Sequence, residues 1–458
     1  MDAEGIEGQV RIARERVTQL ADAGVDTVAI SFVDNAGLTR AKAIPVRRFE
    51  EAVRSGIGLS PAFHVLLVND RITSSDGIGG PVGDLRLHPD PEALRILAAQ
   101  PGWAWAPADQ RTQDGETFQA CSRSFLRRMQ DEATSLGFSL RCAFEVEWFQ
   151  ARLDGDDASI PVHRAPAVGI QALAEYGAFC RELLAALEQE GLEPEQINAE
   201  YADGQLECSV APRPPLDAAD AQVLVRQTIR GLAARYGARP SFAPVFAGSM
   251  GNGGHLHVSL WEGEHNRFAG GDRRHGLTLV GEAFLAGVLR ELPALTAVGC
   301  PSVASYLRLV PSHWAGVFAC WGTENREAAI RFIEGTASIR SRAANAELKC
   351  FDLSSNPYLL IGAVIAAGLA GLREDLELPL EFLQDPESLP PAELEALGIG
   401  RLPTSLDEAT DELERSHILR AAMGEILFDA FTAVRRAEAD AFREAESEAI
   451  VEAHLWRY

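Results

Sequence analysis

The sequence predicts an α+β protein in two parts, residues 1–108 and residues 109–458. Three observations carry that expectation. The chain opens as helix, strand, tight turn and strand. From Cys121 onward, helical stretches alternate with short strands. Several of those strands place polar residues on one face and apolar residues on the other. With 458 residues and 47% hydrophobic content, the chain can bury a large core.

Residues 6–23 read as an amphipathic helix and residues 25–33 as a strand. Asn35, Ala36 and Gly37 form a tight turn. Residues 38–44 return as a second strand, and Pro45, which has no N–H to donate, stops it. Residues 55–90 are rich in Gly, Pro, Ser and Asp, which predicts long loops. Residues 109–115 are polar and turn-rich and mark the end of the small unit. Residues 122–136, 173–189, 217–236 and 279–292 then read as helices. Asn356-Pro357 is a helix start, a capping side chain with proline at the first helical position. Residues 405–454, dominated by Glu, Arg and Ala, predict a charged helical end.

Net charge is -24, which argues against long-range attraction to nucleic acid or to an anionic membrane. Seven cysteines are scattered without a C-x-x-C pair, the pattern of reduced, buried thiols in a cytoplasmic protein. The first ten residues are acidic and lack the apolar stretch of a signal peptide. The longest apolar run, residues 358–372, suits a buried helix better than a membrane span. No P-loop is present, and no dinucleotide-binding glycine motif follows a strand.

Three stretches put metal-grade ligands on alternate residues. They are Glu145-Val146-Glu147, Gln205-Leu206-Glu207 with Glu200 upstream, and His255-Leu256-His257-Val258-Ser259. In a strand, residues i and i+2 point the same way, so each stretch has one ligand-bearing face backed by apolar residues. Alone, Glu alternating with apolar residues marks a solvated strand face. Together, strands aiming hard oxygen donors and imidazoles into one cavity build a multi-metal site for phosphate chemistry. The glycines at 251, 253 and 254 let backbone amides approach a ligand. Arg308, Arg326 and Arg331 add planar cations suited to carboxylates and phosphates, and Glu347 and Lys349 alternate on a further strand.

The order and spacing of these motifs resemble the glutamine synthetase superfamily in its bacterial type I form. The resemblance runs from Asp34 to about Arg443. Its anchors are Phe144-Glu145-Val146-Glu147, Glu200-x3-Gly204-Gln205-Leu206-Glu207 and Gly251-x-Gly253-x-His255-x-His257-x-Ser259-Leu260. Ser305-Tyr306-x-Arg308-Leu309-Val310-Pro311, Asn325-Arg326-x4-Arg331 and Glu347-x8-Asn356-Pro357-Tyr358 follow.

The resemblance implies a small β-grasp-like N-terminal domain. It also implies a catalytic domain built on an antiparallel, half-open barrel of strands flanked by helices. It implies two or three Mg2+ or Mn2+ ions, one held by Glu147, Glu200 and Glu207 and another by Glu145, His255 and Glu347. His257, Ser259 and Arg331 would place ATP, Gly251 and Arg308 would hold glutamate, and Arg326 would stabilise the phosphoryl group in flight. Asp34 would reach into a neighbouring subunit's nucleophile pocket, within a homo-dodecamer of two stacked hexameric rings.

Departures from the family pattern centre on the nucleophile. Ammonia-using members carry Glu three residues after the proline of the Arg-Leu-Val-Pro motif. Here Pro311-Ser312-His313-Trp314 places tryptophan there. An indole accepts no proton; it offers an apolar wall or a π face to a cation. Trp314 and His313 therefore define an expected amine pocket. The family's ammonium-pocket tyrosine has no counterpart within residues 165–173. Lys349 stands in place of an arginine, Met250 in place of an asparagine, and Glu377 in place of the tyrosine that some members adenylylate.

The expectation is an ATP-dependent ligase joining the γ-carboxylate of glutamate to a primary amine. A short monoamine such as ethanolamine comes first and a polyamine next, because a second charge would call for an extra carboxylate. Glutamine synthesis from ammonium is the alternative, and an inactive structural ring is a third reading.

Overall fold

Where the chain's apolar faces meet, two large clusters form, one within the N-terminal sheet and its helix and a larger one that spans the second sheet, its helices and part of the N-terminal unit. The structure, a computed structural model, describes residues 3–154, 157–248 and 250–458. The helix Ala3–Asp22 lies on the N-terminal sheet. Within that sheet the hairpin strands Thr27–Val33 and Thr39–Pro45 pair antiparallel through the expected turn. Thr27–Val33 also pairs in parallel with Trp103–Arg111. Val28, Ile30, Phe32, Leu87, Ala104 and Ala106 supply its buried face.

Two N-terminal expectations change. Residues 55–90 are not all loop, because Ile57–Leu59 and Leu85–Pro89 pair and extend the sheet. The strand Trp103–Arg111 runs into the stretch read as turn-rich, and the turn proper closes with Gly115 N–H donating to the Thr112 carbonyl at 3.1 Å. Pairing with Leu85–Pro89 satisfies that backbone, which overrides its polar composition.

The larger part is a curled half-barrel. Its strand order is Phe318–Thr323, Ala328–Ile333, Asn345–Leu348, Leu256–Glu262, Ser139–Asp154, Gln205–Val210 and Pro194–Ala199. The neighbours along it are antiparallel, except that Phe318–Thr323 and Ala328–Ile333 run parallel. Helices Ser122–Ser135, Pro215–Arg235, Leu279–Gly299 and Pro357–Arg373 cover the convex side.

Leu279–Gly299 continues through Pro293, past the expected end, because the helix packs along Pro357–Arg373 and that burial outweighs one lost hydrogen bond. The helix expected over 173–189 is broken at Tyr176, whose hydroxyl accepts from Gln150 of the long strand. Asn356 caps its helix as expected, its carboxamide oxygen accepting from the Tyr358 and Leu359 amides.

A buried ionic node joins the two parts. Arg123 donates to Asp220 and Asp90 at 2.8 Å each and to Asp109 at 3.2 Å, and the Tyr358 hydroxyl donates to Asp220 at 2.6 Å. The seven cysteines are unpaired and buried. Among the described residues no helix is long and apolar enough to cross a membrane.

Candidate active site

Strand register assembles the site. Glu147 lies directly opposite Glu207 on the neighbouring strand. Along the other edge of the same long strand, the Glu145 N–H donates to the His255 carbonyl at 3.1 Å. Glu347 is paired with His257 on one side and Arg331 on the other. Adjacent strands thus deliver the ligand-bearing residues to one face of the half-barrel.

The contacts are close. His255 Nδ1 lies 2.8 Å from Glu145 Oε2 and 3.2 Å from Glu347 Oε1. His255 Nε2 is 3.8 Å from Glu147 Oε1, and His257 Nε2 is 3.2 Å from Glu145 Oε1. Donor atoms of Glu145, His255 and Glu347 all lie within 4.8 Å of one another, the spacing a single cation needs. Arg331 donates to Glu347 at 3.0 Å and Lys349 Nζ at 3.1 Å. Gly253 donates its N–H to Glu147 at 2.8 Å, and a Cβ there would fall 2.5 Å from His255 Nε2. Only glycine fits between the two ligands.

The electrostatics ask for a cation. Like charges directly opposite on adjacent strands repel, as Glu147 and Glu207 do. Burial, together with the charges of Glu145, Glu147 and Glu200, pushes Glu207 up to about 9 against the pull of His255. Burial and the charge of Glu147 together raise Glu200 to about 7. Five carboxylates from 145, 147, 200, 207 and 347 share a dry space, and divalent cations are the partners that such oxygen donors suit. The residues therefore fit the expected metals.

Gln205, read as a possible ligand, instead donates its Nε2 to Glu147 Oε2 at 3.0 Å and to the Gly251 carbonyl at 2.8 Å. It holds the Glu147 carboxylate in place. Ser259 follows His257 on the same face and accepts from the Trp261 indole at 2.8 Å.

Arg308 is buried behind Gly251, where a Cβ would lie 2.8 Å from its Cγ. Its guanidinium donates to the carbonyls of Cys350 and Phe351, while Nε has no partner among the described residues. A guanidinium with free donor capacity suits a substrate carboxylate.

The mouth is aromatic. Trp314 is 47% exposed, and Tyr201, the residue after Glu200, meets it edge-on with ring centroids 5.6 Å apart. The Arg326 guanidinium sits over the Trp314 ring at 5.6 Å. Ser312 and Trp314 both hold left-handed backbone, at φ 60° and 54°, a strained geometry that clusters at working sites.

Two expected site residues stand apart. His313 is exposed. Asp34 is fully buried in its own chain, where it accepts from Arg40 at 2.7 Å and from the Leu38 N–H at 2.9 Å. Burial raises its carboxyl to about 6 against the pull of Arg40. Its turn is docked tightly: a Cβ on Gly37 would overlap the Ser354 carbonyl at 1.7 Å. For Asp34 to serve a neighbouring pocket, Arg40 has to release it.

Two residues at the mouth escaped the sequence reading. Tyr201 directly follows Glu200, and no motif or periodicity singles it out. Glu327 follows Arg326 directly, and its Oε1 accepts the Trp314 N–H at 2.8 Å. A cavity of about 730 Å³ lies elsewhere, between the two parts around Arg123. The chemistry of the donors, not the size of a hollow, locates the site.

Comparison with known proteins agrees with this geometry. Residues 119–454 match the model of the glutamine synthetase catalytic domain, and residues 13–116 that of the glutamine synthetase N-terminal domain. The chain is 47% identical over 457 residues to gamma-glutamylpolyamine synthetase GlnA3 of Streptomyces coelicolor, covering 99% of this chain and 98% of that one. It is 32% identical over 431 residues to a glutamine synthetase of Mycobacterium tuberculosis, covering 92% and 93%. A solved glutamine synthase homolog superposes with TM-score 0.85 at 32% identity, over 95% and 99% of the two chains. A GmaS/ADP complex superposes with TM-score 0.82 at 28% identity, over 94% and 96%.

Proposed function

The chain belongs to the glutamine synthetase family and is a ligase of it; from that premise we propose that it joins the γ-carboxylate of glutamate to an organic primary amine at the expense of ATP. The observation that carries the reading is an intact carboxylate–imidazole cluster facing a mouth where Trp314 stands in place of an acid. The first half of the chemistry has what it needs, and the nucleophile's half is altered.

In this reading Glu147, Glu200 and Glu207 would hold one divalent cation, and Glu145, His255 and Glu347 would hold another. Bound there, the cations would supply neutralisation of phosphate charge. His257, Ser259 and Arg331 place ATP. Arg308 and Gly251 hold glutamate so that its γ-carboxylate meets the γ-phosphate, giving γ-glutamyl phosphate and ADP. Arg326 stabilises the charge in transfer. Lys349, bonded to Glu347, keeps that ligand oriented. The amine then attacks the acyl carbon and phosphate leaves. The aromatic wall of Trp314 and Tyr201 shields the acyl phosphate from water.

We place a polyamine ahead of ethanolamine as acceptor. Two things support that order: the 47% identity to a gamma-glutamylpolyamine synthetase, and the carboxylate of Glu327 beside Trp314. The proposal includes a two-ring dodecamer, testable by light scattering, and a reducing, cytoplasmic setting that suits seven unpaired thiols. Glutamine synthesis is the second reading, favoured by the relatives at 32% identity that bear that name.

Phosphate release from ATP with glutamate and Mg2+ separates them. Ammonium is compared with ethanolamine, putrescine, spermidine and short alkylamines. Release with an organic amine but not with ammonium supports the proposal. Ammonium as the best acceptor would return the chain to glutamine synthesis.

A further inference from the structure

Glu327 is a buried acid at the mouth to which the steps above assign no role. It is 6% exposed. Its Oε1 accepts the Trp314 N–H at 2.8 Å, and its own N–H donates to Asn325 Oδ1 at 3.0 Å. Its Oε2 is buried, and no described residue donates to it. A carboxylate oxygen without a donor in a dry place is costly, and a cationic donor is the partner that would relieve it.

Its location points toward substrate. Glu327 immediately precedes the strand Ala328–Ile333, which pairs with Asn345–Leu348 so that Arg331 stands opposite Glu347. The Lys349 N–H donates to the Ala329 carbonyl at 3.0 Å, two residues from Glu327. Glu347, Lys349 and Glu327 therefore follow one another from the metal cluster outward to the mouth. Burial raises the Glu327 carboxyl and Asp385 adds to that, while the Trp314 N–H, the charge of Lys349 and, short of a full hydrogen bond, the Ser312 N–H favour its charged form. Arg326, its neighbour in sequence, is turned away over the Trp314 ring.

We propose that Glu327 is the amine-binding carboxylate of this enzyme: Oε2 accepts a hydrogen bond from the ammonium of the incoming amine, while Oε1 holds the 312–314 loop that walls the pocket. The acid that the sequence lacks at position 314 is supplied in space from position 327. The exposed rings of Trp314 and Tyr201 then take the outer part of the amine, including a second cation by cation–π contact. Oε2 becomes accessible when the 312–314 loop lifts, which breaks the Trp314 N–H bond to Oε1, the 3.4 Å hydrogen bond from Ser312 to Asp385 and the ring contact with Tyr201; the loop closes back onto Oε1 once the amine is seated. The inference rests on the organic-amine reading for the identity of the ligand, but not for the role of the residue.

The test is Glu327→Gln in the full-length enzyme, with Glu327→Asp beside it. Glutamine keeps an acceptor for the Trp314 N–H and removes the charge, so a purely structural role predicts little change. The expected result is a rise in amine KM of about tenfold or more, the size of a lost charge-assisted hydrogen bond. KM for ATP and glutamate should stay within about twofold, since neither ligand touches this residue. Glu327→Asp should fall between wild type and Glu327→Gln. An unchanged amine KM in folded Glu327→Gln, checked by circular dichroism and thermal melting, overturns the inference. An equal rise in all three KM values also overturns it. The wild-type panel separates this from the functional reading. If wild type prefers ammonium, the organic-amine reading fails, and the same KM comparison with ammonium still decides the role of Glu327.

Discussion

The two ends of the cleft are built in opposite ways. At the carboxylate–imidazole end, Glu145, Glu147, Glu207, His255 and Glu347 stand on or beside paired strands whose register fixes every side chain. Each has a supporting partner, such as Gln205 and Gly253 on Glu147 or Arg331 and Lys349 on Glu347. At the aromatic mouth, proposed to receive the amine, Trp314 and Tyr201 stand outside the strands, exposed, with left-handed backbone at Ser312 and Trp314. A sheet preorganises what the chemistry needs unchanged. A loop can exchange side chains without moving the sheet, so acceptor identity is free to vary there.

The largest expected effects test the rigid end. Glu147→Gln should cost about 10²–10³-fold or more in kcat, because one charge of a cation site is lost along with its oriented partners. Chelation of divalent metal should abolish phosphate release, and Mg2+ should restore it. A folded Glu147→Gln enzyme within tenfold of wild type would break the comparison at its stronger end.

Arg308→Lys should act on glutamate alone. A point charge replaces a fork that is anchored on the Cys350 and Phe351 carbonyls, so glutamate KM should rise about 10- to 100-fold with amine KM little changed. Initial-rate kinetics with each substrate varied would expose a general collapse instead.

Trp314 substitutions should be milder and selective. Trp314→Ala should shift the preference between long and short amines by about two- to tenfold, the worth of an exposed cation–π wall, and leave glutamate and ATP constants alone. Trp314→Glu should raise ammonium use relative to organic amines. If wild type already uses ammonium best, the mouth is not specialised for organic amines.

The smallest effect on catalysis is expected far from both ends. Glu190 accepts from the Ala98 N–H at 2.9 Å and from the Thr228 hydroxyl at 2.5 Å, fastening the N-terminal part to the helix Pro215–Arg235. Burial pushes its carboxyl from 4.5 up to about 7. A group whose folded-state value is raised stabilises fully below its unfolded value, and that contribution is lost as pH rises through the folded value. Glu190→Gln should therefore leave activity unchanged and remove part of the loss of stability between pH 4.5 and 7. The wild-type-minus-variant difference should move by roughly 2–3 kcal/mol across that window. Parallel urea-unfolding profiles at pH 5 and pH 8 would contradict the assignment.

Sequence alone determined the faces. Alternation within a strand is a local property of the backbone, so Glu145/Glu147 and His255/His257 could be assigned to one side before any fold was known. Helix ends with a clear chemical signal, such as Asn356-Pro357, were equally legible. Ends decided by packing were not, as the continuation through Pro293 and the break at Tyr176 attest. The identity of neighbours came only from tertiary structure. Glu147 faces Glu207 through pairing across a sequence gap that no local pattern encodes. Gln205 carries the ligand spacing, yet its amide faces Glu147 and makes it a donor. Asp34 has the motif position, yet burial against Arg40 occupies its carboxylate. Glu327 stood at an unspecified position inside the Asn325-Arg326-x4-Arg331 motif with no periodicity to mark it, and only the folding of the 312–314 loop onto it made it part of the site. Side-chain direction is set by neighbouring residues along the chain, whereas encounter is set by long-range pairing and loop closure, and the chemistry of this site depends on both.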